Sequence, residues 1–228
     1  VAGNPNAGKS TLTNAIAGSR LSVGNWPGVT VEKKSATFDF QGRKIPLVDL
    51  PGTYSLSPYT QEEVVARDYL VHEKPDVIIN VVDATNLERN LYFTLQLLEL
   101  NIPLVMALNM HDEAAQKGFR IDIDKMASIL GCAVIPTVAT KGEGVSRLME
   151  TVVAFADAFE AHRPGVISYG QDIEKAVAEV SEHLKDHPDV LAGTLPLRWM
   201  ALKMIEGDVR AIEDHKAGAY AASAEKAT

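Results

Sequence analysis

Hydrophobic and polar positions alternate in blocks over roughly the first two thirds of the chain, and the blocks predict strands separated by helices. Two nearly unbroken apolar runs, Asp76–Asp83 and Pro103–Asn109, are typical of strands buried on both faces. Further strands are predicted at Val1–Ala2, Thr30–Phe40, Ile45–Asp49 and Ala133–Val138. Helical spacing predicts helices over Lys9–Ala17, Gln61–His72, Leu87–Leu100, Asp124–Leu130 and Gly144–Phe159. This order indicates an α/β domain with a mainly parallel sheet covered on both faces.

The pattern changes near Arg163-Pro164-Gly165, after which no strand is predicted. Apolar residues then recur at helical spacing, at Ile173, Ala176, Val177, Val180 and Leu184. A second apolar helical stretch, Leu195–Ile205, surrounds Trp199. We therefore predict an α/β domain over residues 1–163 and a small all-helical subdomain over residues 164–228.

Composition narrows the class of protein. Hydrophobic residues make up 46% and charged residues 23%, which excludes a disordered or fibrous chain. The net charge of −8 disfavours a nucleic-acid partner, because a groove that follows a phosphate backbone needs basic residues. The single cysteine, Cys132, cannot form an internal disulfide and indicates a reducing compartment. No apolar run reaches the roughly 18 residues of a membrane span, and no signal peptide is predicted. Because the chain begins without Met, we expect it to be part of a longer protein.

The strongest chemical signal lies between the first strand and the first helix. Its residues fit the pattern G-x-x-x-x-G-K-[ST], as Gly3-Asn4-Pro5-Asn6-Ala7-Gly8-Lys9-Ser10, with Thr11 next to it. Backbone N–H groups of such a loop surround a phosphate chain at a helix N-terminus. Lys9 can reach the β- and γ-phosphates, and the Ser10 hydroxyl can bind Mg²⁺. The alternative is a chance Gly-rich turn.

A second signal, Asp49-Leu50-Pro51-Gly52, ends a predicted strand. Asp49 at this place can hold Mg²⁺ through a water, and the Gly52 N–H can contact a γ-phosphate. The D-x-x-G pattern alone is weak because it matches many turns. Its position after a strand and downstream of the phosphate loop favours the nucleotide-binding interpretation.

A third signal, Asn109-Met110-His111-Asp112, follows the strand Pro103–Asn109. The Asp112 carboxylate can accept two hydrogen bonds from guanine, which adenine cannot supply, so it would select GTP. The usual version of this motif has Lys where Met110 stands, and a thioether could still pack on the base. The alternative for Asp112 is a helix N-cap. In the following turn, a backbone N–H of Ala139, Thr140 or Lys141 could bond the guanine oxygen.

The loop Val23–Thr30 lies where a nucleotide-dependent switch is expected. Thr30 could bind Mg²⁺ and the γ-phosphate only in the GTP state, with Gly28 and Val29 beside it. Trp26 is unusual in a loop, and its alternative role is packing.

The four segments GNPNAGKSTLTNAIAG, VGNWPGVTVE, DLPGTYSLSPYTQEEVVARDYL and NMHD together resemble the cytosolic N-terminal part of FeoB, the bacterial ferrous-iron transport family. The likeness is dense over residues 1–145 and weaker over the helical remainder. It implies a P-loop Ras-like GTPase domain followed by a helical subdomain that slows GDP release.

Residue by residue, the resemblance implies a K⁺ site made by Asn6 with the main-chain carbonyls of Gly24 and Trp26. Thr30 would be the threonine of switch I, and Asp49 with Gly52 would open switch II. Ras-like enzymes have a catalytic Gln after that glycine, whereas this chain has Thr53. We therefore expect slow hydrolysis that depends on Asn6, Lys9, Thr30 and Gly52 and is stimulated by K⁺.

For the whole protein, the resemblance implies a GTP- and Mg²⁺-dependent regulator of Fe(II) uptake on the cytoplasmic face of the bacterial inner membrane. Its partners would be its own C-terminal membrane domain, small cytosolic Feo accessory proteins and, as another option, further copies of itself. Two other hypotheses stay open. The chain could belong to a soluble RNA- or ribosome-associated GTPase, or it could be an interaction module with negligible hydrolysis.

Overall fold

The computed structural model describes residues 1–57, 59–186 and 195–208. The strands are β1 (Ala2–Gly3), β2 (Ser22–Asn25), β3 (Glu32–Phe40), β4 (Arg43–Asp49), β5 (Ile78–Asp83), β6 (Leu104–Asn109) and β7 (Ala133–Pro136). The helices are α1 (Lys9–Ala17), α2 (Gln61–His72), α3 (Leu87–Leu98), α4 (His111–Gln116), α5 (Ile123–Leu130), α6 (Val145–Asp157), α7 (Gln171–Leu184) and α8 (Leu197–Ile205). Short 3₁₀ helices cover Gly18–Arg20, Ala139–Lys141 and Phe159–His162.

A parallel sheet with the strand order β1-β5-β6-β7 forms the centre of the α/β domain. Asp83 at the end of β5 lies opposite Asn109 at the end of β6, so both strands end at the same edge. Alternate residues point to opposite faces. Val82 and Leu108 join the core under α2 and α3, whereas Val81 packs with the core under α1 and α6. The predicted parallel sheet with two covered faces is confirmed.

An antiparallel sheet, β2-β3-β4, extends the central one. The main-chain nitrogen of Val1 donates to the carbonyl of Val48 at 2.6 Å, and the Leu50 N–H donates to the carbonyl of Val1 at 2.9 Å. Strand β2 was not predicted, because all four of its residues are exposed and it carries no alternating apolar pattern. It is held by a backbone ladder to β3, which a hydrophobic pattern does not report.

The described part of the helical subdomain packs on α3. Trp199 of α8 is 1% exposed and shares one core with Val177 of α7 and with Phe93 and Leu97 of α3. Helix α8 begins after Pro196, which suits a first helical turn because proline lacks an N–H. Residues 187–194 and 209–228 of the predicted subdomain lie outside the described residues.

Charged side chains also link the two parts of the chain. Arg67 of α2 and Asp208 form a buried ion pair with 3.2 Å between Nη1 and Oδ2. Arg198 of α8 contacts Glu99 at the end of α3. Within the described ranges, no helix is both long and apolar enough to cross a membrane.

Candidate nucleotide-binding site

The loop between β1 and α1 has the backbone that its glycines predict. Asn6 and Gly8 adopt positive φ angles of 67° and 84°. A Cβ on Gly8 would lie 2.2 Å from Asn109 Nδ2, so no larger residue fits without moving that amide. The loop ends at the N-terminus of α1, where free N–H groups and the helix dipole favour an anion. The predicted phosphate loop therefore has the shape that phosphate binding requires.

Lys9 and Asp49 meet across this loop. Lys9 Nζ lies 2.6 Å from Asp49 Oδ1, and the two side chains are 11% and 3% exposed. Lys9 opens α1 and Asp49 ends β4, so adjacent elements bring together two residues that are 40 positions apart. Ser10, the predicted Mg²⁺ ligand beside Lys9, is exposed at the same helix start.

The segment Asp49-Leu50-Pro51-Gly52 packs directly on the phosphate loop. A Cβ on Gly52 would come within 3.2 Å of Pro5 Cα, so the close approach depends on glycine. The Thr53 N–H donates to the carbonyl of Gly3 at 3.3 Å. The structure thus places the Gly52 backbone beside the loop, as the sequence predicts for a group that contacts a γ-phosphate.

Asn109 ties the phosphate loop to the turn after β7. Its Nδ2 donates to the carbonyl of Ala7 at 3.0 Å, and its Oδ1 accepts from the Ala139 N–H at 3.0 Å. The side chain is buried, so both bonds are shielded from water. One amide therefore holds together the loops predicted to bind phosphate and base.

Asp112, the predicted base-selecting acid, lies in the first turn of α4. Lys141 Nζ lies 2.7 Å from Asp112 Oδ2, and the Glu113 N–H donates to Oδ1. The bond from Lys141 is the main cause that lowers the pKa of the Asp112 carboxyl. Asp112 therefore stays an ionised hydrogen-bond acceptor. The Met110 methyl group lies 3.6 Å from where a Gly8 Cβ would be, so its thioether lines the same cleft.

The backbone hydrogen bonds indicate which of Ala139, Thr140 and Lys141 has an N–H available for the guanine oxygen. The Ala139 N–H is used by Asn109 Oδ1, and the Lys141 N–H donates to the carbonyl of Val138 at 2.9 Å. Within the residues that the structure describes, the Thr140 N–H has no acceptor, and Thr140 is exposed. Thr140 is therefore the residue of the three with a donor available for a base.

The backbone of the predicted switch loop bonds to β3 and within its own turn. Gly24 pairs with Lys33 in the β2–β3 ladder, and the carbonyl of Trp26 accepts from the Val29 N–H at 3.3 Å. Thr30 is exposed, and among the described residues no hydrogen bond connects it to the phosphate loop. The hydrogen bonds of the described residues therefore do not join Thr30 or the carbonyls of Gly24 and Trp26 to Ser10 or Asp49.

Trp26 has the packing role that was its alternative. It is 9% exposed, and its ring meets Tyr69 of α2 edge to face with 5.4 Å between the centroids. Lys33 Nζ lies 4.7 Å from the ring centroid on the outer side.

Two polar residues of the site's surroundings escaped the sequence analysis, Gln96 on α3 and Arg198 on α8. Gln96 is 7% exposed although it lies on the apolar side of α3 next to Leu97. A polar residue in an apolar helix face was the available signal.

A central parallel sheet, a phosphate loop at its first helix and the acid Asp112 after β6 are features of the P-loop GTP-binding class with a Ras-like fold. Residues 1–152 match the family model described as "Ferrous iron transport protein B", and residues 169–227 match "FeoB cytosolic helical domain". The chain belongs to the FeoB ferrous-iron transport family.

Curated relatives and solved structures agree with this assignment. The chain is 44% identical to the Fe(2+) transporter FeoB of Escherichia coli, over 91% of this chain and 26% of the relative. It is 45% identical to a Fe(2+) transport protein A/FeoB fusion protein of Porphyromonas gingivalis, over 90% of this chain and 24% of the relative. The chain thus spans about a quarter of the length of these relatives.

The solved cytosolic domain of the FeoB iron transporter of T. maritima in a GDP form is 37% identical, with a TM-score of 0.87. That match covers 95% of this chain and 84% of the other. A form of the same domain with GMPPNP superimposes equally well, with a TM-score of 0.87 over 95% of this chain and 83% of the other. Both comparisons confirm the predicted α/β fold with its helical subdomain.

Proposed function

We propose that this chain binds GTP and hydrolyses it slowly, and that the bound nucleotide sets the conformation of a ferrous-iron transporter's cytosolic part. The observation that carries the proposal is the Asn109 side chain, which joins the phosphate loop at Ala7 to the base loop at Ala139. A nucleotide that touches both loops would use a site that is already assembled. The related T. maritima domain was solved in GDP and GMPPNP forms, which supports the same ligand class here.

Guanine recognition is assigned to Asp112 and to the Thr140 backbone. The ionised Asp112 carboxylate would accept from N1–H and the 2-amino group, and the free Thr140 N–H would donate to the guanine oxygen. Adenine offers an amino group where guanine has that oxygen and lacks the N1–H, so its complex would leave these groups unpaired. Lys141, paired with Asp112, keeps the carboxylate oriented.

The phosphates would lie on the N–H groups at Gly8, Lys9, Ser10 and Thr11. Mg²⁺ fits the donor set of the site, because Asp49 supplies a buried carboxylate that contacts Lys9, and Ser10, the next residue, is exposed and carries a hydroxyl. When bound, the ion would supply charge neutralisation between the β- and γ-phosphates. Lys9 would then leave Asp49 Oδ1 for the phosphates, since an ammonium prefers the more highly charged partner.

Slow hydrolysis follows from the residue after Gly52. Thr53 is 2% exposed, and within the described chain its hydroxyl has no hydrogen-bond partner, so it does not face a water at the γ-phosphate. Orientation of that water is therefore assigned to the backbone of residues 28–30 once Thr30 reaches the phosphates. A K⁺ ion held by Asn6 and the carbonyls of Gly24 and Trp26 would add the positive charge that an arginine finger supplies elsewhere.

For the whole protein, GTP binding would regulate Fe(II) uptake through a membrane part that follows this chain at the cytoplasmic side of the inner membrane. The curated relatives carry the name of Fe(2+) transporters, and one of them is fused to Fe(2+) transport protein A, which supports such an accessory protein as a partner. Membership of this family favours a transporter domain over an RNA- or ribosome-associated GTPase.

Phosphate release from GTP in a single turnover, measured in KCl and in NaCl at equal ionic strength, tests the proposal. We expect slow release that is faster in KCl, and we expect Asn6→Ala to abolish the difference between the salts. Equal rates in the two salts would refute the K⁺ site alone. If GTP were bound but no phosphate were released over hours, the chain would be a nucleotide-binding interaction module and not an enzyme.

A further inference from the structure

A short segment after Gly52, in which Thr53 and Leu56 are buried, is hydrogen-bonded to α3 through the Gln96 side chain. The Leu56 N–H donates to Gln96 Oε1 at 2.6 Å, and the Ser55 hydroxyl donates to the same oxygen at 3.3 Å. The Ser57 N–H in turn donates to the Ser55 hydroxyl at 2.9 Å. Leu56 is completely buried, so its N–H would have no water as a substitute partner.

The C-terminal end of α3 also contacts the helical subdomain. Glu99 lies three residues after Gln96, on the same side of the helix. Its Oε2 accepts from Arg198 Nε of α8 at 3.0 Å. Arg198 also binds both carboxylate oxygens of Glu174 on α7, at 2.7 and 2.9 Å. One turn of α3 thus carries the attachment of the segment after Gly52 and the attachment of the helical subdomain.

Only a few residues separate the phosphate loop from the bond between Leu56 and Gln96. At one end, Gly52 touches Pro5 and the Thr53 N–H binds the carbonyl of Gly3. At the other end, three residues later, Leu56 is held by Gln96. A shift of Gly52 toward a γ-phosphate therefore acts on a segment that is held to α3 by the bond from Leu56 to Gln96 and by the Tyr54 ring, whose centroid lies 4.1 Å from Arg89 Cζ.

Packing alone does not explain a glutamine here. Gln96 lies between Phe93 and Leu97 on a buried face, where an apolar side chain would fill the same space. Its Nε2 is buried and makes no well-aligned hydrogen bond within the described chain, although Tyr92, one helical turn earlier, lies close enough to interact with this amide. Its oxygen, by contrast, satisfies a buried main-chain N–H, and this is the contribution that an apolar residue could not make.

We infer that Gln96 is a positioning residue that couples the conformation of the segment after Gly52 to the helical subdomain through Glu99 and Arg198. The inference rests on the proposed function, because it requires a nucleotide to move Gly52. The chemical feature responsible is the acceptor oxygen of Gln96. Exchange of that oxygen for an apolar group should therefore separate the nucleotide site from α8 without emptying the nucleotide site.

Hydrogen exchange of α8, Leu197–Ile205, measured with GDP and with a non-hydrolysable GTP analogue on the 228-residue chain, tests the inference. In the unsubstituted chain we expect the two nucleotides to give different protection. Gln96→Met removes the oxygen at similar volume and should shrink that difference by at least about threefold. Gln96→Glu keeps an acceptor oxygen at the same place, is the matched control, and should retain most of the difference. Both variants should still bind both nucleotides.

Three results would overturn the inference while leaving the GTPase intact. The unsubstituted chain could bind and hydrolyse GTP without any difference in α8, Gln96→Met could keep the full difference, or Gln96→Glu could lose it as completely as Gln96→Met. If Gln96→Met does not fold, Arg198→Met tests the same connection from the other side and must erase the difference. A chain that fails to bind GTP at all would refute the proposed function, and the inference with it.

Discussion

Lys9 Nζ and Asp49 Oδ1 lie 2.6 Å apart, so the lysine predicted to bind phosphate is paired with the acid predicted to hold magnesium. Both side chains are largely shielded from water, which makes the pair strong while it is complete and unfavourable when either partner is missing. A nucleotide with its metal would replace this pair by two new ones, with Lys9 on the phosphates and Asp49 toward the metal. The pair therefore takes the place of the nucleotide and its metal and keeps the two side chains in position.

Removal of one partner of this pair should destabilise the chain. Lys9→Met leaves Asp49 buried without its cation and is expected to lower the free energy of unfolding by about 3 kcal/mol. In the double variant Lys9→Met/Asp49→Asn the loss should be smaller than in the single variant. Urea unfolding of the unsubstituted chain, Lys9→Met, Asp49→Asn and the double variant measures the coupling energy between the two residues. Lys175→Met, which breaks a pair exposed at both side chains, is the control and should change little. Additive effects of the two substitutions would contradict the argument.

Gly8→Ala should disrupt the tie between the phosphate loop and the base loop. The new Cβ would lie 2.2 Å from Asn109 Nδ2, and φ of +84° is strained for alanine. Displacement of Asn109 leaves the carbonyl of Ala7 and the N–H of Ala139 without their partner. We expect a loss of about 2 kcal/mol in unfolding free energy together with weaker GTP binding, measured by urea unfolding and by titration with a fluorescent nucleotide. Gly42→Ala, in the turn between β3 and β4 at a positive φ of 78° with open space around it, controls for backbone strain alone. An equal loss of GTP affinity in both variants would refute the role of the tie.

The sequence predicted the position of candidate residues where a motif follows the end of a strand. Lys9, Asp49 and Asp112 were predicted because a spacing pattern coincided with an apolar strand and a following turn. The parallel sheet was predictable for the same reason, since its core strands are unbroken apolar runs. Strand β2 was not, because an exposed strand has no such pattern.

Partners that are distant in the chain were beyond the sequence. Arg198 and Glu99 are 99 positions apart, and Arg67 and Asp208 are 141 positions apart. A single sequence shows that each residue is charged but does not show which of many opposite charges it meets. Gln96 could at most be noticed as polar in an apolar face, because its partner is a backbone N–H that leaves no trace in the residue type.

Asp112→Asn should change base preference. The asparagine oxygen can still accept from N1–H, but its NH₂ group would face the 2-amino group of guanine. Xanthine has a carbonyl at that position, so it would gain a hydrogen bond where guanine loses one. We expect GTP affinity to fall at least about tenfold and XTP affinity to rise, both measured by competition against a fluorescent nucleotide. Glu113→Gln, at the neighbouring acid, should alter neither. Unchanged preference in Asp112→Asn would place the base elsewhere.

Glu174 should stabilise the chain in a pH-dependent way. Two hydrogen bonds from Arg198 and one from the Tyr169 N–H lower the pKa of its carboxyl from 4.5 to about 2. Because the folded-state pKa is depressed, the stabilisation is complete well above the ordinary value and is lost as the pH falls toward the folded value. Glu174→Gln should therefore lower the unfolding free energy by about 1 kcal/mol at neutral pH, since the pair is partly exposed.

The difference between Glu174→Gln and the unsubstituted chain should shrink as the pH is lowered from neutrality through 4.5 toward 2, the interval that its pKa shift defines. Urea unfolding over this range measures it for both chains. Glu99 is also bound to Arg198, but burial raises the pKa of its carboxyl, so it takes up its proton at higher pH than Glu174 does. Glu182→Gln is the matched control, because the pKa of the Glu182 carboxyl is lowered as well, in this case by Lys185. Both side chains of the Glu182–Lys185 pair are exposed, so the loss of this pair should change stability little. If the loss of unfolding free energy in Glu174→Gln instead grew as the pH was lowered, the pair with Arg198 would not be stabilised by the charge of Glu174.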